Sequence, residues 1–444
     1  MDMNLSADLV VVGGGLAGLP LAIATASAGL RTVVIDREPP ATMLDEPFDG
    51  RSSAIAYGSQ QVLAGIGVWD LVADAAEPIR DIRVADQGSS LFLHYDHADL
   101  GDDPLGFILE NRALRRALFK RMAGLDDLVH LAPAAVDRIE TTRVGVVAHL
   151  ADGRTVKARL AVAADGKHSR LREQAGIKTL GLAYRQHAIT GTVVHEAPHH
   201  GVAVEHFLPA GPFAILPMTD DAQGRHRSSI VWTERADLAP AMMALDEAAF
   251  TAELADRFGP YLGAVAPAGP RWCYPLGVLY AERMVADRLA LLGEAAHVIH
   301  PIAGQGLNLG IRDAAALAEL IVDAHRLGLD PGAATVLERY QRWRRVDTVT
   351  LAAVTDGLNR LFSNNIAPVK LARDVGLSLV DKAPPLKKLL MRHAMGVLGD
   401  LPRLVRGERL LIQPSSAGRL HPQAWLAPCG AGPQWPWCRR RYWR

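Results

Sequence analysis

Hydrophobic and polar positions follow two rhythms along the chain, and the change between them outlines its organisation. Leu9-Val10-Val11-Val12 is an unbroken apolar run rich in β-branched residues, which suits a parallel strand buried on both faces. Ala and Leu then recur at helical spacing over 16–28, with Gly29 where a helix C-cap falls. Residues 31–35 read as a second strand that ends at Asp36, and the polar, Pro-bearing stretch 41–53 reads as a loop. Helices are predicted over 59–71 and 111–123, and strands over 146–150 and 160–164. Between residues 187 and 234 the period drops to two. Ala188-Ile189-Thr190-Gly191-Thr192-Val193-Val194 and Ser228-Ser229-Ile230-Val231-Trp232 predict antiparallel strands. Leu289-Ala290-Leu291-Leu292 returns to the buried-strand pattern, 307–327 predicts a helix, and helical patterning continues to about residue 411.

This succession predicts an α/β chain in five segments. Residues 1–180 form the first part of a nucleotide-binding domain, 181–275 a separate antiparallel-sheet domain, and 276–360 the return to the first domain. Residues 361–412 are C-terminal helices and 413–444 a tail. The tail has five Pro, no acid and four of the chain's eight Trp, with no periodicity to support a packed element, so it is expected to be disordered. With 49% hydrophobic and 22% charged residues, the 444-residue chain has the composition of a soluble enzyme. Its 48 basic residues balance 48 acidic ones, which argues against a nucleic-acid partner. Met1 to Ala7 has no Lys or Arg, so no signal peptide is expected. No apolar run reaches the roughly 18 residues of a membrane span. Cys273, Cys429 and Cys438 have no Cys-x-x-Cys spacing, which fits a reducing, cytoplasmic setting.

Three constellations carry chemistry. The first, Gly13-x-Gly15-Leu16-Ala17-Gly18, lies between a strand and a helix, with Asp36 closing the next strand. Gly13 permits the tight turn, Gly15 lets backbone approach a pyrophosphate, and Gly18 allows close helix–strand packing. The helix start supplies N–H groups and a positive dipole end to the phosphates, and Asp36 can accept bonds from a ribose diol. This pattern specifies an adenine dinucleotide without choosing NAD or FAD. In the second, Ala163-Ala164-Asp165-Gly166, an apolar strand runs into a turn, with a helix starting near Ser169. In the third, Leu291-Leu292-Gly293-Glu294 is followed by His300-Pro301-Ile302-Ala303-Gly304-Gln305-Gly306-Leu307-Asn308-Leu309-Gly310. A strand there delivers an acid beside Gly, and a Pro/Gly loop opens a long helix whose N-terminus suits an anion such as reduced flavin. Glu294, His297 and His300 suggest a metal site, but steps of three drift around a helix and Pro301 interrupts it, so none is assigned.

In this order and at these separations the motifs resemble the class A FAD-dependent aromatic monooxygenases. The third, with Asp49-Gly50-Arg51-Ser52-Ser53-Ala54-Ile55-Ala56 and Gly211-Pro212-Phe213-Ala214-Ile215-Leu216-Pro217, is similar to the ubiquinone-biosynthesis hydroxylases of the UbiH type. The resemblance covers about 5–412 and implies a Rossmann-like FAD-binding domain of aromatic-hydroxylase type. That domain would carry an inserted antiparallel-sheet substrate domain and C-terminal helices. It further implies that Gly13, Gly15, Leu16, Ala17 and Gly18 hold the pyrophosphate and that Asp36, with Arg37 beside it, meets the adenosine ribose. Arg51 and Arg112 would lie near the flavin and its phosphates, and Asp165 near the pyrophosphate. Gly293 and Glu294, where the family has Asp, would meet the ribityl chain. Pro301, Gly304, Gln305, Gly306, Leu307 and Asn308 would lie along the isoalloxazine. The implied cofactors are FAD, NADH or NADPH as transient reductant, and dioxygen, activated at the flavin C4a carbon and used to hydroxylate a phenol. No second Gly-x-Gly-x-x-Gly marks a dedicated NAD(P)H domain.

The expected partner is a hydrophobic, polyprenylated aromatic substrate, with association with other quinone-pathway enzymes. Lys382 to Arg409 interleaves Lys387, Lys388, Arg392, Arg403, Arg406 and Arg409 with leucines, a pattern that suits peripheral contact with the cytoplasmic face of an inner membrane or packing on the core. No substrate base is assigned; Tyr184, His187 and His206 are the candidates. Rival readings are a flavin monooxygenase for another aromatic compound, an NAD-dependent dehydrogenase, a non-catalytic flavin scaffold and a flavin halogenase. The last needs Trp-x-Trp-x-Ile-Pro, whereas Trp435-Pro436-Trp437 runs on into Cys438-Arg439.

Overall fold

The computed structural model describes residues 4–45, 49–86, 92–362 and 380–410. The expected tail 413–444 and the segment 363–379 lie outside them. A six-stranded sheet is built in the order Val285–Ala286, Leu289–Leu291, Leu160–Ala163, Leu9–Val12, Thr32–Ile35, Leu128–Leu131. All but the first strand run parallel. Its central strands are buried along their whole length: the helix Gly18–Ser27 packs on them, and a four-stranded sheet of Asn4–Ser6, Thr155–Ala158, Val146–Leu150 and Val136–Thr141 adds Val146, Ala148, Leu150 and Val156 to the same core. The helices Gly18–Ser27 and Gln305–Arg326 pack on one another beside it.

A nine-stranded sheet forms the second layer, in the order His297–Val298, Trp272–Ala281, Thr179–His195, His226–Arg235, Gly211–Met218, Val202–Leu208, Asp81–Asp86, Phe92–Asp96, with Val265–Pro267 on Thr179–His195. Strict alternation gives it two unlike faces. His206, Phe213, Trp232, Ile189 and Cys273 are aligned across one face. There Phe213, Trp232 and Ile189 are fully buried with Phe250, Leu254 and Phe258 of the helix Glu247–Phe258. The adjacent row, Val84, Glu205, Ala214, Val231, Thr190 and Trp272, lies on the opposite, inner face. That face meets the first domain: Val84 and Phe207 pack on Ile302, and the Trp272 indole lies against Gly50.

Several local expectations change. The stretch 41–53 is not all loop. It opens with the helix Pro40–Leu44, for which Pro at the first turn is well suited, and Ser52–Ala56 pairs antiparallel with Gly106–Glu110. The helix expected over 59–71 is Tyr57–Gly65, and a separate 3-10 turn follows at Trp69–Leu71. The antiparallel sheet reaches outside 181–275, because Asp81–Asp86 joins it in parallel with Val202–Leu208 and brings Phe92–Asp96 as its edge. Short mixed stretches such as Asp-Ile-Arg-Val-Ala-Asp lack a period strong enough to announce a strand.

Candidate cofactor and substrate site

Parallel pairing sets four chain ends side by side at the carboxyl edge of the six-stranded sheet. In order these are Gly293–Glu294, Ala164–Asp165, Gly13–Gly15 and Asp36. The ladder continues one step beyond the strands, through Leu292 N–H to Ala163 O (2.9 Å), Ala164 N–H to Val12 O (2.8 Å) and Gly13 N–H to Ile35 O (2.8 Å). Open α/β sheets bind ligands at this edge. At Gly13, with φ of +110°, a Cβ would lie 2.2 Å from Ala164 O; at Gly18 it would lie 2.1 Å from Gly13 O. Both glycines therefore serve packing. Gly15 differs, since a Cβ there meets no atom within 4 Å. That opening lies just before the start of the helix Gly18–Ser27, which has no side-chain cap. Leu19 N–H donates to Gly15 O (3.1 Å) and Pro20 has no N–H, so the donors offered to an anion are those of the turn that leads into the helix.

The second helix start sits beside the first. A Cβ on Gly293 would be 3.1 Å from the Ala17 methyl, and one on Gly310 would be 3.3 Å from it. The first and third motifs thus touch directly. Gly304, in the left-handed region at φ +60°, caps the helix Gln305–Arg326, and its close approach to Ala54 leaves no space for a side chain. Asn308 fixes this junction. Its side chain donates to Ala54 O (2.7 Å) and Gly304 O (2.9 Å) and accepts from Ala56 N (2.8 Å). Its hydrogen-bonding capacity is therefore spent on backbone, and it positions the loop. Asp313 anchors the same helix from behind. Burial alone would raise its carboxyl pKa, but His297 (2.5 Å) and Arg344 (2.7 Å) hold it below the usual range. His297 is thus engaged with Asp313, and His300 Nδ1 accepts from Ile302 N (3.3 Å).

Arg51 lies between the two sheets. It grips Asp49 through Nε (2.8 Å) and Nη2 (3.1 Å), and its guanidinium lies 5.0 Å from the Tyr274 ring centroid. The Asp49 carboxylate also accepts from Asn111 (3.0 Å) and Arg115 (3.5 Å). Burial would raise its pKa, but Arg51 and Asn111 outweigh it and keep the group ionised. The exposed Glu294 contributes favourably to the Arg51 charge, so these two predicted residues are neighbours. Asn111, Arg115 and Tyr274 were not marked by the sequence, and Asp49 entered only as the first residue of the Asp49–Ala56 motif, without a role; the one further signal was the spacing of Asn111 and Arg115 on one helical face.

Other predicted residues divide. Asp36 accepts from Gly14 N (2.5 Å) and Glu38 N (2.9 Å), so it shapes the glycine turn. Asp165 Oδ2 accepts from Leu171 N (3.3 Å), and Oδ1 is buried without a partner among the described residues. Pro301 O accepts from Gly304 N, Gly306 is exposed and Leu307 half-buried at the helix start. Gln305 Nε2 donates to Ala394 O (3.2 Å). Arg112, half-buried in the first turn of Asn111–Met122, has no ion pair among the described residues, and the adjacent Glu110 pairs with Arg227 at 3.5 Å. Arg37 is exposed and pairs with Glu38 (3.7 Å). Of the three base candidates, Tyr184 lies at the Pro301 loop, edge-on to His300 with ring centroids 5.3 Å apart. His206 sits in the outer-face row of the sheet, where burial lowers its pKa.

The edge fits FAD. Two neighbouring helix starts without side-chain caps, space over Gly15, a buried Asp165 oxygen without a partner among the described residues and an apolar wall opposite match its phosphates, ribityl chain and ring. The FAD binding domain family model matches residues 6–346. The chain belongs to the FAD-binding aromatic hydroxylases. It is 53% identical over 404 residues to ubiquinone hydroxylase UbiL of Rhodospirillum rubrum, covering 90% of this chain and 93% of that protein. It is 32% identical to 3-demethoxyubiquinol 3-hydroxylase of Escherichia coli, covering 89% of this chain and all of that one. The fold matches p-nitrophenol 4-monooxygenase PnpA of Pseudomonas putida, with a TM-score of 0.72 at 20% identity over 87% of this chain and 97% of that one. This hydroxylase uses FAD, NAD(P)H and dioxygen, as members of its family do. No described helix is long and apolar enough to cross a membrane.

Proposed function

We propose that the enzyme hydroxylates the aromatic ring of a hydrophobic, polyprenylated phenol in ubiquinone biosynthesis. The observation that carries this reading is the facing of two surfaces. The helix start at Gln305 and its loop lie on one side, and the inner face of the nine-stranded sheet lies on the other. When bound, FAD reduced by NAD(P)H supplies one oxygen atom of dioxygen to the ring, the other leaving as water.

The chain's own residues supply binding, orientation and dryness. The N–H groups of Gly15 to Ala17 meet the pyrophosphate, and Asp36 meets the adenosine ribose as well as holding the turn. Arg51 and Arg112 lie towards the flavin and its phosphates, and Glu294 towards the ribityl chain. N–H groups near Gly306 favour negative charge on the pyrimidine side of the ring. Val84, Phe207 and Ile302 form an apolar wall that excludes water, which strengthens these interactions. On the inner face, the Thr190 hydroxyl is buried without a partner among the described residues and serves a phenol oxygen. The relatives' substrates, as their names give them, support a ring of the ubiquinone pathway. We place the enzyme in the cytoplasm, taking its substrate from the cytoplasmic face of the inner membrane and associating with other enzymes of the pathway.

Deletion of the gene followed by mass analysis of quinone precursors tests the assignment. A precursor lacking one ring hydroxyl is expected to accumulate, and an unchanged quinone pool would reject the pathway. In vitro, the yellow purified enzyme is expected to oxidise NAD(P)H faster when the phenol is added.

A further inference from the structure

We propose that the helix Pro384–Ala394 is a lipid-docking portal, its outer face lying on an anionic bilayer and its inner face roofing the approach to the substrate wall. The inference rests on the reading that the substrate is lipid-soluble. The helix is fixed over the site at both ends. Near its start, Lys387 pairs with Asp99 (3.1 Å) and Asp381 (3.5 Å), and Asp381 accepts from His94 N (3.3 Å) at the edge of the nine-stranded sheet. At its end, Ala394 O accepts from Gln305 of the flavin-side helix, and Met395 O accepts from Gly58 N (2.8 Å). Between these ties, Met391 and Met395 are buried against Ala203, Leu216 and Met218 of the sheet and against Ala54, the residue that abuts Gly304. Thioether side chains conform to varied apolar shapes, a property suited to a wall along which a flexible hydrocarbon passes.

The outward side is a second apolar face. Leu386 and Leu389 are 44% and 48% exposed, and Leu398 just beyond the helix is 43% exposed. Lys382, Lys388 and Arg392 are exposed among them, and no Asp or Glu occurs between residues 382 and 399. A helix that packs only on its own core has no need of leucines on the solvent side. Leucines flanked by long cationic side chains suit an interface in which the apolar groups enter the acyl boundary and the cations reach lipid phosphates. The chain as a whole carries no net charge, so this attraction is local to the portal.

Sedimentation of the full-length holoenzyme with vesicles tests the proposal, using phosphatidylcholine alone and phosphatidylcholine mixed with phosphatidylglycerol. Binding to the mixed vesicles, weakened by salt, is expected. Lys388→Gln with Arg392→Gln should lower the partition coefficient about thirtyfold, with flavin content and circular dichroism unchanged. Leu389→Ser should lower it further. The double variant should turn over a short-tailed, water-soluble phenol like the parent enzyme but be slow on a long-tailed phenol embedded in mixed vesicles. No vesicle binding, equal binding to both lipid mixtures, or full retention by the double variant would overturn the portal. Failure of the parent enzyme to hydroxylate either phenol would instead refute the substrate assignment, while the partition measurement still decides the lipid contact.

Discussion

The two halves of the site are made by different means. At the carboxyl edge of the parallel sheet the working groups are backbone N–H groups, glycine space and helix ends, all within a few residues of the strand that delivers them. On the inner face of the antiparallel sheet the working groups are side chains from six strands, separated by up to about 190 residues and aligned only by register. The first kind of site depends on what is absent, namely a Cβ. The second depends on a two-residue period held in phase across every strand, where a slip of one residue would exchange Thr190 and Val231 for Ile189 and Trp232.

The sharpest test of the first half separates two glycines of one motif. Gly18→Val forces side-chain atoms onto Gly13 backbone and should cost more than about 3 kcal/mol, giving little folded protein. Gly15→Val meets open space within the protein. It should therefore purify colourless yet unfold at nearly the temperature of the parent stripped of flavin, since bound flavin itself raises the melting point; the flavin-to-protein absorbance ratio and a thermal melt read both. Equal melting losses in the two variants would mean that Gly15 also packs.

Next in size is the support behind the flavin-side helix. Asp313→Ala leaves the buried Arg344 without one of its two carboxylate partners and should cost roughly 3–5 kcal/mol in urea unfolding. Asn308→Ala removes three bonds that join Ala54, Ala56 and Gly304, for about 1–3 kcal/mol. Flavin affinity should fall along with stability in this variant, because the loop under the ring loosens. Unchanged flavin affinity would show that the loop is held without Asn308.

The smallest effect belongs to the antiparallel half. Burial holds His195 and His199 below the ordinary histidine value of 6.5. The unfolded chain therefore binds protons more readily than the native one. Their contribution is whole above that pH and is lost as pH falls from it towards the depressed values. Hydrogen exchange in the strands around these residues should quicken in mildly acidic buffer before it does at Leu9–Val12. His195→Gln should flatten this dependence.

Sequence alone determined the parallel half almost completely. The run Leu9 to Val12, the glycines after it, Asp36 and the Gly293 to Gly310 block are local patterns, and each element's chemistry follows from its neighbours in the chain. It also announced the inner and outer faces of 188–194 and 228–232. Tertiary structure decided what lies across those strands. It decided that Asp81–Asp86 and Phe92–Asp96 join the sheet, that Arg51 is held by a buried Asp49 and lies over Tyr274, that Asn308 serves backbone, and that Met391 and Met395 pack with Ala203, Leu216 and Met218. The physical reason is that strand register and long-range ion pairs are fixed by the joint packing of distant segments, whereas a turn, a helix start or a buried strand is specified by a handful of consecutive side chains.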